Sequence, residues 1–251
     1  MHRFYLPPDQ CQGNLLALAD REAHHALHVL RLRAGERLMV LDGAGQELLC
    51  EAQPTGRDSL SLLVAQRQKI APPACPITLV QAIPKGKLIE SIIQKATELG
   101  VHRVVPLVSD RVAVVLDDES AAAKAEKWRQ TAIEAIKQCG SAWLPQIDAP
   151  LTPRQFLAAA ERFDLVFIGS LQPDAKHPRT YFQTFHREQQ RPPRSVAVWI
   201  GPEGDFTPAE MAAAKSAGAL PITLGRLVLR SETAATYALS VLNYELQAPP
   251  G

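Results

Sequence analysis

The sequence has no apolar run long enough to span a membrane, and its first residues, Met1 to Pro8, hold no apolar signal core. A cytoplasmic protein with no membrane partner is therefore expected. An excess of either charge is also missing: 27 Lys+Arg stand against 26 Asp+Glu. The chain thus lacks the overall basic character of many nucleic-acid binders, although a local basic stripe is sufficient for RNA. Cysteine is scarce and scattered. Cys11, Cys50, Cys75 and Cys139 form no C-x-x-C pair, which argues against zinc and against a disulfide framework. Reduced, mostly buried thiols are expected instead. Two nucleotide-binding signatures are missing as well. Without G-x-x-x-x-G-K-[ST] there is no P-loop, and without G-x-G-x-x-G a Rossmann dinucleotide site has no support.

What is present is enough apolar material, 46% of 251 residues, for one large core or two smaller ones. The boundary falls at Ile70-Ala71-Pro72-Pro73-Ala74-Cys75-Pro76, where three prolines in five residues forbid helix and favour an extended connector. Before it, short strands are broken by turns. Arg37–Leu41 leads through Asp42-Gly43-Ala44-Gly45, a hairpin signal, to Glu47–Ala52. A further turn, Thr55-Gly56-Arg57-Asp58, precedes Ser59–Val64. One helix is predicted from about Asp20 to Leu30, with Asp20 as its cap. Residues 1–72 read as a small β-barrel with one helix.

Beyond the linker, strands alternate with helices. Ile77–Ile83, Val104–Leu107, Asp164–Ile168, Val196–Ile200 and Pro221–Leu224 read as strands. Leu88, Ile89, Ile92, Ile93, Ala96 and Leu99 share one helical face, which Gly100 ends. Further helices are predicted over Ala121–Gln138 and Glu232–Leu246. Thr207-Pro208-Ala209-Glu210 spells a capping box with proline at the first helical position. The alternation predicts a mostly parallel sheet covered on both faces.

Two runs stand at the carboxyl ends of strands, where open α/β sheets place ligands. The first is Ile200-Gly201-Pro202-Glu203-Gly204-Asp205-Phe206. Its glycines let the backbone turn tightly and let a ligand reach main-chain N–H groups. It is equally readable as an ordinary turn with Glu203 as a solvated charge. The second is Leu224-Gly225-Arg226-Leu227-Val228-Leu229-Arg230-Ser231-Glu232-Thr233-Ala234. Arginine near a helix N-terminus opposes the macrodipole while Glu232 suits it. Arg230 thus invites an external anion, or else an internal pair with Glu232 or Glu203.

Three smaller groups are more ambiguous. Pro84-Lys85-Gly86-Lys87, between a strand and a helix, suits phosphate. Lys95 and Glu98 on the following helix are most simply an exposed polar face. His24, His25 and His28 crowd one helix, but no Cys, Asp or Glu completes a ligand set, so no metal is expected. With Arg3, Arg31 and Arg33 this group reads as an RNA-facing patch, against a plain surface helix.

Together these segments resemble the 16S ribosomal RNA uridine-N3 methyltransferases of the SPOUT superfamily. The resemblance runs nearly end to end. It includes His28-Val29-Leu30-Arg31, Asp42-Gly43, Lys85-Gly86-Lys87, Gln94 to Val101 and Gln138-Cys139-Gly140. Its most specific parts are Ile200 to Gly204, and Leu224-Gly225 with Leu229 to Thr233, in that order and at that spacing.

The resemblance implies an α/β chain: a PUA-like β-barrel over residues 1–72, then a SPOUT-type knotted α/β methyltransferase domain over residues 73–251. It implies S-adenosylmethionine as cofactor and 16S ribosomal RNA of the small subunit as substrate. It also implies a homodimer with the active site close to the subunit contact, and no metal. Carried over by position, the cofactor is held by Gly169 to Leu171, by Gly201, Pro202, Glu203 and Gly204, and by Leu224, Gly225, Leu229 and Arg230. Arg230 is the candidate for stabilising a uridine anion or a phosphate, with Glu203 and Glu232 as base or orienting group. RNA contacts are expected at Arg3, His28, Arg31, Arg33, Lys85 and Lys87. Two departures stand out. Asp205 replaces a glycine that usually follows Gly204, and Gly140-Ser141 lacks the arginine that often follows this glycine. They keep two other readings open: a non-catalytic RNA-binding or ribosome-assembly factor, and a methyltransferase acting on another RNA.

Overall fold

The computed structural model describes residues 1–53, 59–111 and 118–247. The predicted turn at Thr55–Asp58 lies outside them. The chain divides into two compact units. One comprises Met1–Pro72 with Ile133–Leu144, and the other comprises Pro73–Ala132 with Pro145–Gly251.

The first unit is built on a five-stranded mixed sheet. Its strands are β1 (Arg3–Tyr5), β2 (Leu15–Leu18), β3 (Arg37–Leu41), β4 (Gln46–Ala52) and β5 (Leu60–Lys69), in the order β1-β3-β4-β5-β2. Only β1 and β3 run parallel. The hairpin between β3 and β4 forms where the sequence predicts it. The Asp42 carboxylate is buried and accepts from Ala44 N (2.7 Å) and Gln46 N (2.8 Å). This side chain satisfies turn amides that the ladder leaves free, which is why Asp followed by Gly suits the position. Phe4, Leu18, Leu38, Val40, Leu48 and Leu62 fill the core on alternating strand positions.

The helix of this unit differs from expectation. α1 spans only Asp20–His24 and widens into a π turn over His25–Val29. Asp20 does not cap it. The capping position is Ala19, without a side-chain bond, and Asp20 itself has φ of 47°. The His24 and His28 rings lie 4.9 Å apart, and no group of three metal-ligating side chains occurs among the described residues. His28, Arg31 and Arg33 are exposed. Arg3 is exposed too, but its guanidinium donates to the carbonyls of Gln138 (3.0 Å) and Lys137 (3.4 Å). It thereby caps the end of the long helix α3 described below, and it lies where a Cβ on Gly140 would stand, 2.9 Å from Arg3 Cζ. The thiols are less uniformly hidden than predicted. Cys11 and Cys50 are buried, and burial pushes both up to about 11, whereas Cys139 is exposed.

The second unit is a parallel six-stranded sheet, adding β6 (Ile77–Ala82), β7 (Arg103–Leu107), β8 (Gln146–Ile147), β9 (Leu165–Gly169), β10 (Val196–Ile200) and β11 (Leu220–Ile222). Its order is β11-β9-β10-β6-β7-β8. The helices are α2 (Leu88–Glu98), α3 (Asp118–Cys139), α4 (Pro153–Ala158), α5 (Pro178–Gln189), α6 (Pro208–Ser216) and α7 (Ser231–Gln247). Neither α4 nor α5 is predicted, although Thr152-Pro153-Arg154-Gln155 spells a capping box at the start of α4 and Tyr181, Phe182 and Phe185 share one face of α5. The central strands β6 and β10 are buried at every residue, as parallel strands covered on both faces must be. Val80, Ala82, Ala197 and Trp199 face Phe156 of α4 and Ala214 of α6. Gln81 points the other way, to the start of α7. Lys95 and Glu98 form a local ion pair on α2, 2.8 Å apart, as an exposed polar face allows.

The capping box at α6 is present in full. Thr207 Oγ1 accepts from Glu210 N (3.3 Å) and Glu210 Oε2 accepts from Thr207 N (2.8 Å). The other Glu210 oxygen accepts from Asp110 N (2.9 Å), so the box also ties α6 to the chain after β7. Thr207→Ala is expected to cost about 1 kcal/mol, and Thr207→Ser much less. Thermal unfolding of the two variants beside wild type checks this, with a drop of roughly 2–4 °C expected for the alanine.

Candidate active site

The strands β11, β9 and β10 are neighbours in the sheet and parallel, so their carboxyl ends share one edge. Each releases a loop there, and the three loops enclose a cleft of about 100 Å³. The loop after β9 contributes Gly169, Ser170 and Leu171. The loop after β10 contributes Gly201, Pro202, Glu203 and Asp205, and the loop after β11 contributes Leu224, Gly225 and Leu227 to Leu229. Ser231 and Ala234 of α7 close it. Leu171, Leu227 and Val228 are 62%, 76% and 78% exposed, an unusual cost for large apolar side chains unless they face a ligand or partner.

The loops are fixed to one another by few, well-placed bonds. Ser170 N donates to Ile222 O (2.9 Å), joining the first loop to β11. Ser231, buried at the first residue of α7, donates its hydroxyl to Gly201 O (2.7 Å) and accepts from Gln81 Nε2 (2.9 Å). Gln81 also donates to Ala82 O (2.8 Å) and is wholly buried in the central strand. One hydroxyl thus joins β6, the turn after β10 and α7. The sequence reading missed this pair. Its only signals are a glutamine inside an otherwise apolar strand and a serine opening a helix, each common by itself.

The charge within the cleft is one-sided. Among the described residues its charged lining is Glu203 and Asp205, with no lysine or arginine. Glu203 is held in place by accepting from Lys85 N (3.1 Å). A cleft with apolar walls, approachable glycine backbone and two carboxylates suits a ligand that is partly apolar and carries positive charge.

Comparison with known proteins agrees with this geometry. A family model described as an RNA methyltransferase domain matches residues 71–243, and one described as an RNA methyltransferase PUA domain matches residues 18–64. The ribosomal RNA small subunit methyltransferase E of Synechocystis is 31% identical over 98% of this chain and 78% of its own length. The chain belongs to the ribosomal RNA small subunit methyltransferase E family. Two solved structures match over nearly the whole chain. A methyltransferase of Legionella pneumophila, in complex with the bound cofactor S-adenosylmethionine, is 33% identical with a TM-score of 0.85 over 97% of both chains. Ribosomal RNA small subunit methyltransferase E of Neisseria gonorrhoeae, bound to S-adenosyl methionine, is 27% identical with a TM-score of 0.83 over 98% of both. The second unit is thus a SPOUT-like methyltransferase domain, and the first is of the PUA type.

Within the methyltransferase domain most of the expected cofactor residues meet at the cleft, but two do not line it. Gly204 turns away, and its carbonyl accepts from the Arg111 guanidinium. A Cβ there would meet Arg111 Cδ at an ordinary 3.4 Å. Arg230, just before α7, is exposed and makes no hydrogen bond or ion pair through its side chain with the described residues, so neither internal pair forms. Glu232 is half-buried, with one carboxylate oxygen enclosed and unpartnered among the described residues. Lys85 and Lys87 are exposed beside the cleft rather than in it.

The departure at Asp205 has a backbone cause. Its φ is 62°, a left-handed conformation that glycine adopts freely and aspartate tolerates better than most residues. Asp205 N donates to Pro202 O (2.9 Å), closing the turn, and its Oδ1 accepts from Phe206 N (2.8 Å). The same oxygen sits 2.9 Å from where a Cβ on Gly201 would lie, with Asp205 Cα at 3.3 Å. Gly201 is therefore held to glycine by contact. Gly201→Ala is expected to destabilise the domain by about 1–3 kcal/mol through overpacking, whereas Gly204→Ala should stay within about 0.5 kcal/mol. Denaturant unfolding of both variants tests the contrast.

Proposed function

We propose that this protein transfers a methyl group from S-adenosylmethionine to N3 of a uridine in 16S ribosomal RNA of the small subunit. The observation that carries this reading is the acid-lined, glycine-bearing cleft made by three adjacent strand ends. The residues present fit the cofactor. Leu171, Leu224, Leu227, Val228 and Leu229 offer apolar walls to its adenine and to the methylene groups beside the sulfonium. Gly169, Gly201 and Gly225 leave main-chain groups approachable, and Gly225, with φ of 111°, holds a conformation that other residues rarely enter. Glu203 and Asp205 complement a sulfonium. When bound, the cofactor supplies an electrophilic methyl group on that sulfonium, which needs no Lewis acid.

The chain's own residues supply positioning and charge. Arg230, free of internal partners among the described residues, is available to stabilise negative charge developing on the uracil oxygens or to hold a neighbouring phosphate. Glu232, with an unpartnered oxygen, is the candidate to take the N3 proton or to orient Arg230. Glu203, fixed by Lys85 N, shapes the cleft wall. The PUA-like domain, with His28, Arg31 and Arg33 on its surface, adds phosphate contacts. A homodimer, a trefoil knot and a cytoplasmic location complete the reading.

Two measurements test it. Calorimetric titration should show S-adenosylmethionine binding to wild type, and small-subunit ribosomal RNA incubated with both should gain 3-methyluridine detectable by mass spectrometry. Arg230→Ala should keep cofactor affinity within about threefold yet slow methyl transfer by roughly 100-fold or more. Absence of 3-methyluridine despite cofactor binding would reject the base assignment.

The acidic wall makes a further prediction. S-adenosylhomocysteine, the product, lacks the sulfonium charge. Asp205→Asn keeps the acceptor for Phe206 N but removes the carboxylate charge. It should weaken S-adenosylmethionine by about three- to tenfold while changing S-adenosylhomocysteine little, as expected for one charge pair in a partly wet site. Equal losses for the two ligands would show that Asp205 acts by shape alone.

A further inference from the structure

A second concavity, of about 440 Å³, lies on the other side of the Pro202–Glu203 turn. Both residues belong to its wall as well as to that of the cofactor cleft. Its floor is apolar, with Ile83, Ile89 and buried Trp128, and its rim is basic. Lys85, Lys87, Arg111, Lys124 and Lys127 face two carboxylates, Glu90 and Glu203. Among the described residues, Lys127 alone of these is neutralised by a carboxylate, through Glu90 at 2.6 Å. Arg111 is committed to the Gly204 carbonyl. Lys85, Lys87 and Lys124 make no side-chain ion pair with the described residues. In a chain whose charges almost cancel, three lysines in one groove without an ion-pair partner among the described residues are a local concentration of positive charge.

The two cavities divide charge between them. The cleft holds carboxylates and no cation, whereas the groove holds cations in excess. A sulfonium ligand and a polyanion are thereby directed to opposite sides of one turn. We propose that this groove binds the phosphodiester backbone of the substrate RNA beside the target nucleotide, with Lys85, Lys87 and Lys124 as the phosphate contacts. The proposal rests on the reading of the neighbouring cleft as the methyl-donor site. Backbone phosphates held here place a nucleotide at the Pro202–Glu203 turn, from which an unstacked base has a short path into the cleft. Lys124 is the addition that sequence proximity does not reveal, because it comes from α3, while Lys85 and Lys87 precede α2.

The test compares full-length wild type with the triple variant Lys85→Gln, Lys87→Gln, Lys124→Gln, and with a control, Lys95→Gln, Lys215→Gln. The control removes two surface lysines outside the groove that are paired with Glu98 and Asp174. Affinity for in-vitro-transcribed small-subunit ribosomal RNA is measured over a salt series without cofactor. S-adenosylmethionine affinity is measured separately by calorimetry. Each phosphate contact contributes about 0.7–0.9 to the slope of log K against log salt, so the triple variant should lose roughly two in slope. Its RNA affinity at low salt should fall at least tenfold, with cofactor affinity unchanged within twofold and the control like wild type. An unchanged slope in the triple variant, or an equal loss in the control, would overturn the groove assignment. Failure of wild type to bind S-adenosylmethionine would instead defeat the reading of the cleft, and the salt slopes would still decide the groove.

Discussion

The site depends on one buried hydroxyl. Ser231 Oγ lies between the Gly201 carbonyl and the Gln81 side-chain amide, and so binds the start of α7 to the central strand and to the turn after β10. A polar group so enclosed is costly when unpaired, which makes its two bonds worth more than surface bonds of the same length. Glutamine in a strand otherwise buried at apolar positions makes sense only through this contact. With α7 fixed, the loop from Leu224 to Arg230 has both ends anchored, at β11 and at Ser231, while its middle remains free to face a ligand.

Charge is organised locally in a chain that is nearly neutral overall. Carboxylates gather on one wall of the Pro202–Glu203 turn and, on the other, lysines without an ion-pair partner among the described residues. Such segregation is expensive to maintain without ligands of opposite sign, because like charges repel across short distances. It is consistent with a donor of positive charge and a nucleic-acid acceptor meeting at one turn. Composition cannot report this, since it sums the two walls to almost nothing.

The turn after β10 shows how backbone geometry restricts sequence. Gly201 is held by the approach of Asp205, and Asp205 occupies a left-handed position where glycine is the easier choice. The aspartate answers part of that strain by accepting from Phe206 N. Gly140 is restricted by its own φ of 84°, and the Arg3 guanidinium beside it supplies a basic group at the end of α3 although the adjoining residue is serine. Both departures from the family pattern therefore have local structural accommodation.

The sequence by itself determined the elements whose signals are local: the Asp42–Gly45 hairpin, the Thr207 capping box, the amphipathic α2, and the apolar strands β6, β9 and β10. Its two glycine-bearing runs marked the site's loops, because short-range turn chemistry is written in neighbouring residues. It misjudged α1, where Asp20 took positive φ instead of capping, and the local signals of α4 and α5, a capping box at Thr152 and an aromatic face at Tyr181, Phe182 and Phe185, were passed over. Only the tertiary structure decided which residues of those runs face the cleft. Gly204 is turned outward by the geometry around Asp205, Arg230 remains unpaired among the described residues, and Ser231 meets a glutamine 150 positions away. The pairing of Lys124 with Lys85 and Lys87 around one groove likewise depends on how α3 and the chain before α2 pack, because contact between distant segments is set by the fold and not by spacing along the chain.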